Sequence, residues 1–87
     1  MQLIDARTAE EFYKGHIENA HNIDFFSADF DLKMAALDNF KPLILYCKSG
    51  RRSAKSASKL ADKGYMFIYD LEGGIIQWIF EGNQIVK

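Results

Sequence analysis

The run Leu43-Ile44-Leu45-Tyr46 is continuously apolar and ends directly on Cys47, after which the chain turns polar through Lys48-Ser49-Gly50-Arg51-Arg52-Ser53. An unbroken apolar run, with no alternation, suits a strand buried on both faces, as in a parallel sheet covered by helices. Such a strand commits the chain to an α/β arrangement, because each face of the sheet must be covered.

The flanking sequence supplies the cover. Leu3-Ile4-Asp5-Ala6 predicts a first strand, and Thr8 with Glu11 has the spacing of a capping box that opens a short helix ending near Gly15. Ala20 to Asp24 predicts a second strand. Phe30, Met34 and Leu37 then recur on one face of a helix, a stripe expected to pack in the core. Beyond the Cys47 loop, Ala54, Ala57 and Ala61 share a helical face that Gly64 stops. Met66 to Tyr69 predicts a further strand, Asp70 to Gly74 a turn, and Ile75 to Phe80 a last short helix. Trp78, Ile79 and Phe80 are expected in the core or a pocket wall. The expected fold is a small open, mainly parallel sheet of about four strands flanked by helices, with right-handed crossovers. Ligands of such sheets bind beyond the carboxyl ends of the strands, where Cys47 lies.

Composition narrows what can be built around it. The chain of 87 residues is expected to form a single domain over residues 1–87. With 48% hydrophobic and 26% charged residues it is too apolar for a disordered protein. One cysteine excludes an intrachain disulfide, and with only two histidines it falls short of the usual zinc ligand set, so no metal is expected. A net charge of -1 gives no global pull toward nucleic acid or an anionic membrane. No apolar run approaches the roughly 18 residues of a membrane span, and the start lacks the features of a signal peptide. The abrupt start on a strand leads us to expect that a segment upstream has been removed.

The near-neutral charge hides a local bias. Six of the eleven cationic residues, Lys48, Arg51, Arg52, Lys55, Lys59 and Lys63, lie between positions 48 and 63, opposed only by Asp62. A loop between a strand and a helix N-terminus turns successive backbone N–H groups into one concavity, which the helix dipole makes positive. It is an anion cradle. A thiol set in it is expected to have its pKa lowered from the reference of about 8.5, and Lys48, Arg51 and Arg52 add to that effect. Gly50 lets the backbone take positive φ and lets an anion approach closely. A lone cysteine is commonly buried filler, but this loop is a poor core position and a good place for a nucleophile. His16 and His21 read as structural residues, since a thiolate already formed needs no base. Asp5 and Arg7 are expected to pair at the end of the first strand, with a secondary role in the pocket.

The segment Cys47 to Ser53 resembles the active-site loop of the rhodanese family of sulfurtransferases. Further segments agree with that family in order: Leu3-Ile4-Asp5-Ala6-Arg7 with Glu10-Glu11-Phe12, then Gly15 to Ile23, then Leu71-Glu72-Gly73-Gly74-Ile75 with Trp78. Glu18 and Asn19 replace the family's usual Pro-Gly turn, which should survive because Asn tolerates left-handed φ. Many members carry a strand and helix before the first strand seen here, so the chain is similar to the short members, some of them periplasmic. The compartment implied is the cytoplasm, or the periplasm if a leader has been removed.

The resemblance implies a fold, a reaction and roles. Cys47 would be the catalytic nucleophile, taking a sulfane sulfur from a donor such as thiosulfate and holding it as a persulfide. Lys48, Ser49, Gly50, Arg51 and Arg52 would bind the donor, with Arg52 turned inward and Lys48 and Arg51 at the rim. The basic loop favours thiosulfate over 3-mercaptopyruvate. The acceptor would be cyanide or a thiol, a thioredoxin-like protein included, and a monomer needing no cofactor would suffice. Two rival functions share features of this sequence. A cysteine phosphatase places five residues between Cys and Arg, but that position here is Ser53, so the loop is too short. A persulfide carrier or protein-binding module with little turnover is the other.

Overall fold

A computed structural model of the chain describes residues 2–38, 40–48, 55, 57–58 and 67–87. Strands β1 (Gln2–Asp5), β2 (His21–Asn22), β3 (Leu43–Tyr46) and β4 (Ile68–Asp70) form one sheet in the order β2-β1-β3-β4. Helices α1 (Ala9–Lys14), α2 (Phe30–Ala35) and α3 (Gly74–Phe80) accompany them, and Lys55, Ala57 and Ser58 are also helical. All three strand pairings are parallel, so every strand ends on the same edge of the sheet. The remaining expectations for the helix after the loop, from Ala54 to Gly64, and Met66 in the last strand lie outside the described residues.

Side-chain alternation sorts the core onto two faces of this sheet. On one, Ile4, Leu43 and Leu45 meet Ile23, Phe30 and Met34, with Leu37, Ala57 and Ile68 packed against them. Three of these, Ile4, Leu43 and Leu45, are wholly buried. At about 1.5–3 kcal/mol for each fully buried aliphatic side chain, this face is a large source of stabilisation. On the other face, Tyr46 and Ile75 meet Ile17 and Ala20, with Leu3, Phe12, Leu71 and Trp78 around them. Helix α2 covers the first face; α1 and α3 cover the second.

Local signals explain the connections. The Glu11 amide donates to Thr8 Oγ1 at 3.2 Å while the Thr8 amide donates to Glu11 Oε1 at 3.1 Å, closing the capping box that starts α1. Gly15 ends that helix, its N–H donating to the Phe12 carbonyl. Asn19 takes φ of 71°, so the expected left-handed turn survives without its glycine.

Three boundaries differ from expectation. The second strand is only His21–Asn22, because it pairs with just the last two residues of β1, Ile4 and Asp5. The last strand runs to Asp70, in register with Leu43 to Leu45 of β3. Of the three residues expected in the core or a pocket wall, Trp78 is half-buried, whereas Ile79 and Phe80 are exposed, because α3 turns only the Ile75 and Trp78 side toward the sheet.

Candidate functional site

Strand β3 carries the chain straight to Cys47 at the edge where all the strands end. The residue is held from both sides. The Tyr46 carbonyl accepts from Ala6 N–H at 2.8 Å, the Cys47 carbonyl accepts from Ile75 N–H at 2.8 Å, and the Lys48 carbonyl accepts from Ile76 N–H at 3.1 Å. The first turn of α3 therefore satisfies its otherwise orphaned amides on the Cys47 segment. Glycine makes this approach possible. Gly74 has φ of +61°, and a Cβ there would overlap the Cys47 carbonyl oxygen and come within 2.6 Å of that of Lys48. Peptides are planar, and none here is cis, so turning the Cys47 carbonyl toward α3 turns the Lys48 N–H the opposite way. That amide is left to face away from the helix, the direction an anion cradle requires.

Cys47 itself is 1% exposed, although the sequence marked it as a poor core position. Its backbone, with that of Lys48, is covered by the first turn of α3. Lys48, next along, is exposed, as is Lys55. The other residues expected to bind a donor, Ser49, Gly50, Arg51 and Arg52, lie outside the described residues.

On the Tyr46 side of the sheet lies a buried polar network that the sequence only partly announced. Asp5 and Arg7 do pair: Arg7 Nη2 lies 2.7 Å from Asp5 Oδ2, and Arg7 Nε donates to both carboxylate oxygens. Arg7 Nη2 also donates to the Gly15 carbonyl at 2.6 Å. Asn22 Nδ2 donates to the carbonyls of Asp5 and Arg7, at 3.1 and 2.8 Å. The Tyr46 hydroxyl accepts from Ile17 N–H at 3.1 Å, and the Arg7 guanidinium lies 5.8 Å from the centre of the Tyr46 ring. Four chain segments are thus tied together around the Tyr46 ring. Burial, reinforced by Asp5, holds the Tyr46 hydroxyl above the usual phenol range, so it stays protonated at any physiological pH. Burial pulls the Arg7 pKa down, but its hydrogen bond to Asp5 and the carboxylate's charge outweigh that, and the net shift is upward.

Tyr46 and Asn22 are the members that motif reading missed. Their signal was chemical: a phenol or an amide in a core strand has to find partners. The two histidines differ in setting. His16 stacks on Phe12 at 3.7 Å between ring centres with its Nδ1 2.9 Å from the Phe12 carbonyl, and His21 is exposed on the edge strand. A separate cavity of about 550 Å³ is lined by Leu71, Glu72, Gly73, Gln77 and Glu81. Its two carboxylates make it a poor site for an anion.

The structure is a parallel α/β sheet with a cysteine at the end of its buried strand, and comparison with known proteins gives the family. The chain belongs to the rhodanese-like domain family, whose model matches residues 1–81. It is 38% identical over 77 residues to an uncharacterized Bacillus subtilis protein, YqhL, covering 88% of this chain and 60% of that one. It is 36% identical over 78 residues to the thiosulfate sulfurtransferase GlpE of Pseudomonas aeruginosa, covering 88% of this chain and 68% of the relative. Among solved structures, a rhodanese-related protein of Thermoplasma volcanium superimposes with a TM-score of 0.88 at 34% identity, covering 98% of this chain and 82% of that one.

Proposed function

We propose that the chain is a sulfurtransferase that moves sulfane sulfur from thiosulfate, or a related anionic donor, to a thiophilic acceptor through a persulfide on Cys47. The observation that carries this reading is the placement of Cys47 at the end of a buried parallel strand, its carbonyl held by α3, in front of a basic, glycine-containing loop. Relatives named as sulfurtransferases support it.

The steps balance without a cofactor. The Cys47 thiolate attacks the outer sulfur of thiosulfate; the S–S bond of the donor breaks, sulfite leaves with the bonding pair, and Cys–S–S⁻ remains. A thiolate acceptor then attacks the outer sulfur of that persulfide, and Cys47 departs as thiolate; cyanide in the same role leaves as thiocyanate. Backbone amides from Lys48 onward, with Arg51 and Arg52, hold the negative charge on donor, persulfide and departing sulfite, in place before the reaction starts. Ser49 and Gly50 complete the cradle. A thiol on a small protein, thioredoxin-like in kind, is an acceptor that this scheme accommodates.

Intact mass measurement tests it directly. Reduced protein incubated with thiosulfate should gain one sulfur atom, lose it to cyanide or a dithiol, and gain none as Cys47→Ser. Absence of an adduct with every sulfane donor tried would sink the persulfide mechanism.

A further inference from the structure

Tyr46 takes no part in the sulfur chemistry, yet it is wholly buried and its hydroxyl accepts a hydrogen bond from the Ile17 amide. Phenylalanine would fill the same space without the cost of desolvating a hydroxyl. A fully satisfied polar network in such a place contributes definition of geometry more than stability. The geometry at stake is that of the next residue.

Successive side chains of a strand leave opposite faces, so holding the Tyr46 ring against Ile17, Ala20 and Ile75 obliges the Cys47 Cβ to leave the other way. The backbone bonds from Ala6 to the Tyr46 carbonyl and from Ile75 to the Cys47 carbonyl fix two points of the chain. They leave the rotation between those points to the side chain that lies there. An apolar ring alone could slide or tilt in its pocket. The hydroxyl pins its far end to a backbone amide of the loop after α1, within the field of the carboxylate at the end of β1. That carboxylate is itself gripped by Arg7 through both oxygens.

We propose that Tyr46 is a positioning residue for Cys47: its hydroxyl, held by the Ile17 amide, sets the direction in which the Cys47 sulfur meets a donor. Arg7, paired with Asp5, packs against the ring from the other side. This inference rests on the persulfide reading for its kinetic consequence, but its geometric consequence can be measured without it.

The experiment compares Tyr46→Phe with Phe30→Leu, which loosens the apolar cluster on the opposite face of the sheet. Both are assayed with thiosulfate and cyanide, and both for the rate at which iodoacetamide alkylates Cys47. Trimethylamine N-oxide, which favours the folded state, is present throughout so that each variant is measured folded. Tyr46→Phe should lower kcat about tenfold, leave KM for thiosulfate within about twofold, and slow alkylation severalfold, as expected for a misaimed reacting atom. Phe30→Leu should keep kcat and the alkylation rate near the parent values despite a lower unfolding midpoint. Parental kcat and alkylation in Tyr46→Phe, or losses that Phe30→Leu shares, would overturn the proposal. If the parent protein accepts sulfur from no donor, the persulfide reading fails, and the alkylation comparison alone decides the role of Tyr46.

Discussion

The two faces of the sheet are built on different principles. The face under α2 is apolar throughout, with Ile4, Ile23, Phe30, Met34, Leu43 and Leu45 in contact and no buried charge among them. The face under α1 and α3 has a smaller apolar cluster and carries the buried ion pair of Asp5 and Arg7 together with the Tyr46 hydroxyl. The first face tolerates exchange of one hydrophobic residue for another of similar volume. The second does not, because each polar member is satisfied by the others and loses its partner if one is changed. Stability comes mainly from the one and the placement of Cys47 mainly from the other.

Substitutions on each face can break that contrast. The largest effect should come from Arg7→Met, which strands the Asp5 carboxylate in the interior and should cost about 3–5 kcal/mol. Urea unfolding checks it, and sulfur transfer per folded molecule should fall as well. A loss below about 1 kcal/mol would mean that water reaches the pair and that the second face is not the closed network described. Next, Met34→Ala on the apolar face should cost about 2–5 kcal/mol by leaving a cavity, yet keep its activity when measured in stabilising osmolyte. Activity lost in the fully folded Met34→Ala protein would erase the distinction between the faces. Gly74→Ala should cost less, about 1–3 kcal/mol for a strained backbone. Its effect on Cys47 alkylation should nevertheless exceed that of Met34→Ala, because the added methyl displaces the carbonyls that seat the thiol.

Much of this architecture was legible in the residues. The run Leu43 to Tyr46 reads as a buried parallel strand because nothing in it alternates, and the strand has those bounds. The capping box marks the start of α1 because Thr8 and Glu11 satisfy amides that no other residue can reach. Other features depend on partners far along the chain. The second strand stops at Asn22 because β1 offers it only two residues, a limit set by β1 and not by the sequence from Ala20 to Asp24. Tyr46 passed as one more apolar residue of its run, since a phenol shows its polar end only when the amide of Ile17 and the carboxylate of Asp5 are seen beside it. The close approach of Gly74 to Cys47 was likewise hidden, because two glycines in a turn signal freedom of the backbone without saying what comes near.

The bonds from Ile75 and Ile76 to the Cys47 and Lys48 carbonyls also bear on the order in which the molecule matures. During synthesis the cysteine is made well before the helix that seats it, at about 5–20 residues per second. Until residues 71–76 have emerged and docked, the Cys47 peptide lacks its partners and the thiol is an ordinary one on an unfinished sheet. The seating of the Cys47 peptide therefore waits on a helix made after it, and the sheet edge that carries the thiol is finished only when α3 docks.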